Sequence, residues 1–145
     1  MNSTKAKATS RHKARELVLK SLYALDCGTA DASKSFSQLA EQSSLSEKHL
    51  GFATELFGHC QDNARWADEN ISKLARNWRL ERINYIDRNI LRMAMVELNF
   101  MPDAPARVVM NEAIELAKKY STLESSAFVN GILDSFSKTL AENQA

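Results

Sequence analysis

The chain has 145 residues, 44% of them hydrophobic and 26% charged, which is typical of a single globular domain. No segment approaches the roughly 20 apolar residues of a membrane span, and the polar first residues do not resemble a signal peptide, so we expect a cytoplasmic protein with no membrane contact. Four glycines, two prolines and two distant cysteines argue against a sheet-rich fold, a disulfide framework and a metal site.

Apolar residues at helical spacing predict that the first helix begins at a Ser10 cap and ends at Gly28. Its buried stripe would consist of Ala14, Leu17, Val18, Ser21, Leu22 and Leu25. A second short helix fits residues 33–42. Both segments indicate an all-α fold.

The next segment opens with a capping box, Ser44-Leu-Ser-Glu47. Apolar residues then stay nearly in phase as far as Trp78, so residues 45–78 favour one long helix. Gly58 and Asp62 remain alternative positions for a break, and the sequence does not decide between one helix and two.

The stretch YIDRNILRMAMVEL, residues 85–98, is apolar around most of its circumference and predicts a central helix. Pro105 is suited to be the first residue of the following helix, and a second capping box, Ser121 to Glu124, opens the last one. We therefore expect six or seven helices in one domain over residues 11–140. Two three-helix subdomains would cover about 11–75 and 76–140.

Positive charge is concentrated at the start of the chain. Five cations precede the first acid, Glu16, so the rest of the chain has fourteen of the nineteen basic residues against eighteen acids. The five are Lys5, Lys7, Arg11, Lys13 and Arg15. We expect residues 1–10 to form a flexible basic arm that attracts a phosphate backbone. The alternative is that these charges only keep the protein soluble.

Two further positions suggest binding. Leu19 and Tyr23 fall outside the buried stripe of the first helix and could form an exposed protein-docking patch, or both could be core if that helix is covered on two sides. Phe128, near the start of the last helix, is core by default but could also stack on a base. No nucleotide-binding, metalloprotease or nucleophile-elbow motif is present, so we expect neither enzyme activity nor a cofactor.

Three segments carry a family resemblance. RHKAREL at residue 11, ERINYIDRNILRMAMVEL at residue 81, and VVMNEAIELAKKYS followed by SSAFVNGILD resemble the NusB family of transcription antitermination factors. The match covers about residues 11–135. It implies an all-helical protein that recognises single-stranded boxA-like RNA together with NusE, a small-subunit ribosomal protein. Other Nus factors and RNA polymerase would join them during transcription of ribosomal RNA operons, and a homodimer is possible.

The resemblance also implies roles for particular residues. With the arm, the expected RNA-binding residues are Lys5, Lys7, Arg11, His12, Lys13, Arg15, Glu124, Ser125 and Phe128. The expected protein-partner residues are Leu19, Tyr23, Asp87 and Arg88. A similar domain begins an RNA cytosine methyltransferase, but the chain has no room for the catalytic domain of that enzyme. The remaining alternative is a structural or oligomeric helical scaffold with a non-specific basic tail.

Overall fold

A computed structural model describes residues 3–28 and 32–144, with side chains over 10–28 and 34–143. Within these residues the chain forms seven α-helices, one short 3-10 helix and no strand, which confirms the all-α prediction. The α-helices are α1 (Ser3–Asp26), α2 (Ala32–Gln42), α3 (Glu47–Asp62), α4 (Ala64–Leu74), α5 (Tyr85–Phe100), α6 (Ala106–Tyr120) and α7 (Leu123–Gln144). The 3-10 helix is Leu80–Arg82. Across the described part of the chain, no helix has the length and apolar character required to cross a bilayer.

The helices form two compact units, Met1–Gly58 and His59–Ala145. The division therefore lies inside α3, earlier than the boundary expected after residue 75. In the first unit, α1 packs against α2. In the second, α5 packs against α4, α6 and α7, and α6 packs against α7.

Helix α1 differs from its prediction at its start and agrees at its end. It begins at Ser3, so Ser10 lies inside the helix and does not cap it. At the other end, Gly28 adopts a left-handed φ of 68° and donates its N–H to the Leu25 carbonyl oxygen. Only glycine takes this φ without steric strain, so the predicted end of the helix is confirmed.

The middle of α1 is buried on every side. Six consecutive residues, 14 to 19, are all buried, although successive residues of a helix point about 100° apart. Leu19 exposes only 3%, and Arg15 also exposes only 3%. Of the two alternatives for Leu19, the core position is the one found, because α1 is covered beyond its predicted stripe.

Residues 45–78 form two helices, because a break occurs at one of the two anticipated places. Helix α3 ends at Asp62, and Asn63 precedes α4. The Asn63 side chain donates to the His59 carbonyl oxygen over 2.8 Å. Short polar side chains that bind nearby backbone in this way compete with regular helix. The joint between α4 and α5 consists of residues 75–84. Trp78 belongs to this joint and is 55% exposed, so it is not a core residue.

Helix α5 is the central helix of the second unit, as predicted. Residues 89–91 and 93–97 are all buried. At its edge, Arg92 makes a bidentate pair with Asp68 of α4, with Nε to Oδ1 at 2.6 Å and Nη2 to Oδ2 at 2.8 Å. This charge-assisted pair ties α4 to α5.

Three helix starts are shifted by one or two residues from their predicted positions. Ser46, not Ser44, accepts the His49 N–H at the start of α3. Thr122, not Ser121, accepts the Ser125 N–H over 3.0 Å at the start of α7. Pro105 occupies the cap of α6 and not its first turn. Where two hydroxyl residues lie close together, sequence alone does not show which one caps the helix.

Candidate nucleic-acid interface

A surface cleft of about 240 Å³ lies where the starts of α5 and α7 meet the joint that follows α4. Its walls come from three separate parts of the chain. They are Trp78, Arg82, Ile83, Asn84, Asp87, Thr122, Glu124, Ser125 and Phe128. The three residues assigned to RNA in the last helix, Glu124, Ser125 and Phe128, therefore lie together in one site with Asp87.

Both helix starts at the cleft are capped by side chains. Asn84 Oδ1 accepts the Asp87 N–H over 2.8 Å, and Asn84 Nδ2 donates to Asp87 Oδ2 over 3.1 Å. At α7, Thr122 Oγ1 accepts the Ser125 N–H and donates to Ser125 Oγ. These caps occupy the polar groups nearest the helix ends and hold the cleft walls in place.

Two aromatic rings lie next to each other in the cleft wall. The rings of Trp78 and Phe128 meet edge to face, with centroids 6.4 Å apart and an interplanar angle of 68°. Trp78 is 55% exposed and Phe128 is half-buried. Each therefore presents part of a ring to a flat ligand, and a nucleobase is such a ligand.

The charged groups of the cleft are two carboxylates and one guanidinium, from Asp87, Glu124 and Arg82. Asp87 exposes only 5% of its surface. Its Oδ2 is bound by Asn84, but no group among the described residues donates to its Oδ1. An unsatisfied buried polar atom costs about 1–3 kcal/mol, so this oxygen calls for an explanation.

Arg88 is hydrogen-bonded to the backbone of the joint before α5. Its Nη2 donates to the carbonyl oxygens of Leu80 and Ile83, at 2.6 and 3.1 Å, and its guanidinium carbon lies 5.0 Å from the centre of the Tyr85 ring. Asp87 and Arg88 were expected on a protein-docking surface. Asp87 is buried and Arg88 is half-buried, each with bonds to neighbouring residues, and their protein-partner role stays a prediction.

The arm residues on α1 fall into different environments. The Arg11 guanidinium lies 4.0 Å above the centre of the Phe52 ring, and that of Arg15 lies 5.2 Å from the same ring. Arg11 is half-buried, Lys13 is exposed and Arg15 is buried. The surface role expected for Arg15 is therefore wrong, whereas Arg11 and Lys13 reach the surface.

His12 faces an acid on the same helix. Its Nε2 lies 3.8 Å from Glu16 Oε1, one turn along α1. His12 therefore has an acidic neighbour within the chain. Lys5 and Lys7 belong to the stretch whose side chains lie outside the described residues, and their role stays a prediction.

Tyr23 is exposed near the end of α1, with 42% of its surface accessible. A hydrogen bond with the Cys27 thiol, together with the charge of that group, raises the pKa of the Tyr23 phenol. Of the expected pair, then, Tyr23 is at the surface and Leu19 is not.

Among the described residues, no group of three or more His, Cys, Asp or Glu side chains could hold a metal ion.

Sequence reasoning did not select Phe52, Trp78 or Arg82 as site residues. Phe52 and Trp78 have the spacing of apolar helix positions, and Arg82 is one of several scattered cations. Their roles depend on which residues meet in the folded chain. A single sequence carries no signal for such pairings.

Comparison with known proteins gives a consistent result. The NusB family model matches residues 12–138. The transcription antitermination protein NusB of Heliobacterium modesticaldum is 41% identical over 92% of this chain, which spans 65% of that relative's length. The NusB of Dehalococcoides mccartyi strain CBDB1 is 40% identical, with 92% of this chain and 94% of the relative aligned.

Solved structures agree with the sequence relatives. NusB of T. maritima superposes with a TM-score of 0.82 at 34% identity, covering 88% of this chain and 90% of that one. A crystal structure of NusB and NusE in complex with double-stranded RNA superposes with a TM-score of 0.79 at 24% identity, covering 90% and 98%, and this likeness shows the fold. A family match over most of the chain, and relatives about 40% identical over 92% of it, lead to one conclusion: the chain belongs to the NusB family.

Proposed function

We propose that this protein is a non-catalytic transcription antitermination factor that binds boxA-type single-stranded RNA together with ribosomal protein NusE. The observation that carries the proposal is family membership over nearly the whole chain, with relatives that are named transcription antitermination proteins. In this role the protein supports transcription of ribosomal RNA operons in the cytoplasm. It acts with other Nus factors and RNA polymerase, either as a monomer or as a homodimer.

The RNA surface in this proposal consists of two parts, one on each unit. Arg11 and Lys13 of α1 attract the phosphate backbone. The exposed parts of the Trp78 and Phe128 rings stack on bases, next to the capped starts of α5 and α7. Phosphate contacts provide affinity for any RNA, whereas contacts to a base provide selection.

Tyr23 is the protein-partner residue of the proposal. Its exposed ring lies near the end of α1, where it can pack against a docked protein without leaving the helix. Aromatic residues with a polar tip are enriched at such contacts. Leu19 is not part of this surface, because it is buried.

The proposal is tested by fluorescence anisotropy with a labelled boxA RNA, titrated with the protein alone and with NusE present. We expect NusE to tighten RNA binding by about tenfold, within the usual range of coupling between two ligands. Tyr23→Ala should remove most of that gain while leaving the affinity of the protein alone unchanged.

Two outcomes would count against the proposal. Equal affinity with and without NusE would remove the shared recognition of RNA. Binding to the protein alone that also disappears at physiological salt would instead favour the helical scaffold with a non-specific basic tail.

A further inference from the structure

The unsatisfied Oδ1 of Asp87 lies in the wall of the cleft that holds the two aromatic rings. The geometry of this oxygen points to a further role: we propose that Asp87 selects the base, by accepting a hydrogen bond from the amino group of a cytosine that stacks on the exposed Trp78 ring. This inference rests on the proposed RNA-binding function and names the chemistry that the same cleft prefers.

The position of Asp87 makes it an acceptor with one oxygen to spare. Asn84 Nδ2 holds Oδ2, and the Asp87 N–H holds the Asn84 side chain in return. The carboxylate is thus anchored at one oxygen. Asp87 is itself part of the cleft lining, so a ligand in the cleft lies against this carboxylate. An entering N–H donor would then give the buried oxygen its missing partner.

The charges of the cleft favour a base edge over a phosphate. Two helix starts would normally attract an anion, but here Asp87 and Glu124 line the same space and only Arg82 opposes them. A phosphate would meet two carboxylates. An amino group would meet an acceptor, and an aspartate accepting from cytosine N4 is a recurring form of base recognition.

The same acceptor rejects uracil. Cytosine carries an amino donor at position 4, whereas uracil carries a carbonyl oxygen there. A carbonyl oxygen brought to Asp87 would leave two acceptors facing each other. A good contact of this kind corresponds to about tenfold or more in discrimination.

The test measures quenching of Trp78 fluorescence by short oligocytidylate and oligouridylate, in a Trp66→Phe background so that Trp78 is the single tryptophan. The parent protein should bind oligocytidylate about tenfold more tightly. In Asp87→Asn the new carbonyl oxygen keeps the bond to Asn84, and an NH₂ group replaces Oδ1. This variant should therefore abolish or reverse the preference.

Glu124→Gln is the matched control, because it removes one negative charge from the same cleft without touching Oδ1. It should tighten both oligonucleotides by a similar factor and leave their ratio unchanged. Oligocytidylate carrying N4,N4-dimethylcytidine provides a second test on unaltered Asp87, since that base has no N–H to donate. It should bind about as weakly as oligouridylate.

Three results would overturn the inference. One is equal binding of the two oligonucleotides by the parent protein, and another is a ratio that Asp87→Asn leaves intact. The third is loss of NusE binding in Asp87→Asn with RNA selection unchanged, which would make Asp87 a protein contact. In each case the parent protein would still bind boxA RNA more tightly with NusE present, whereas failure of the proposed function would remove that gain.

Discussion

Phe52 contacts two guanidinium groups of α1, and the burial of each determines what it can do. Arg15 lies 5.2 Å from the ring centre and exposes 3%, so its aliphatic stem and its cation both belong to the core. Arg11 lies 4.0 Å from the same centre but is only half-buried. A cation stacked on a ring in this way is held in a defined position, yet Arg11 retains exposed surface for a phosphate.

This difference predicts that neighbouring cations of α1 affect different properties. Arg11→Ala combined with Lys13→Ala should weaken binding of every RNA and flatten the plot of log affinity against log salt by about 1.4, at about 0.7 per lost phosphate contact. Affinities measured over a range of salt concentrations give that slope. An unchanged slope would remove both residues from the RNA surface.

Arg15→Ala is the matched comparison. It should leave the salt slope unchanged but lower the free energy of unfolding by about 1–3 kcal/mol, because it removes a buried stem and a ring contact. Urea denaturation checks this expectation. A flatter salt slope with unaltered stability would instead mean that Arg15 contacts RNA and does not support the core.

The helices themselves follow from local patterns that a single sequence contains. Apolar spacing places α2 and α5 within a few residues of their observed bounds, and Gly28 ends α1 as expected. The errors occur where one sequence pattern fits two structures equally well. Ser44 and Ser46 could each cap α3, and the observed cap is Ser46. The apolar spacing continues past Asn63, but the Asn63 side chain bonds the backbone there and the helix ends.

The observed cap of α7 leads to a prediction about stability. Thr122→Ala removes the acceptor for the Ser125 N–H and should lower the free energy of unfolding by about 1 kcal/mol. Thr139→Ala is the control, because Thr139 is exposed within α7 and its hydroxyl bonds the Ser135 carbonyl oxygen. Alanine is the better helix former there, so this variant should be neutral or slightly more stable. Thermal denaturation compares the two variants. If Thr122→Ala and Thr139→Ala lowered the stability equally, Thr122 would not be the cap.

At the scale of the whole molecule, the site depends on which distant parts of the chain meet. Trp78, Asp87 and Phe128 come from the joint, α5 and α7, and only the folded second unit brings them to one cleft. Family resemblance indicated Phe128 with Glu124 and Ser125. It did not indicate Trp78 and did not place Asp87 in the same cleft, because neither burial nor an unsatisfied oxygen can be read from residue order.

The core of the second unit also contains a group whose protonation affects the stability of the fold. Cys60 exposes only 4%, and its burial, followed by the charge of Glu97, raises the pKa of the thiol to about 12, against an opposing effect of Arg92. In the unfolded chain a cysteine has a pKa of about 8.5. The native state therefore keeps this proton over a pH range in which the unfolded state has released it.

The sign of the effect follows from proton linkage. Below pH 8.5 both states hold the proton and the stabilisation is complete, and it is lost progressively as the pH rises from about 8.5 towards 12. Between pH 8.5 and 10 the loss should reach about 2 kcal/mol. Urea denaturation at several pH values should show a shallower decline for Cys60→Ala than for the parent protein. Cys27→Ala, which alters the exposed cysteine, should decline as the parent does. Parallel declines for all three proteins would show that Cys60 is not the linked group.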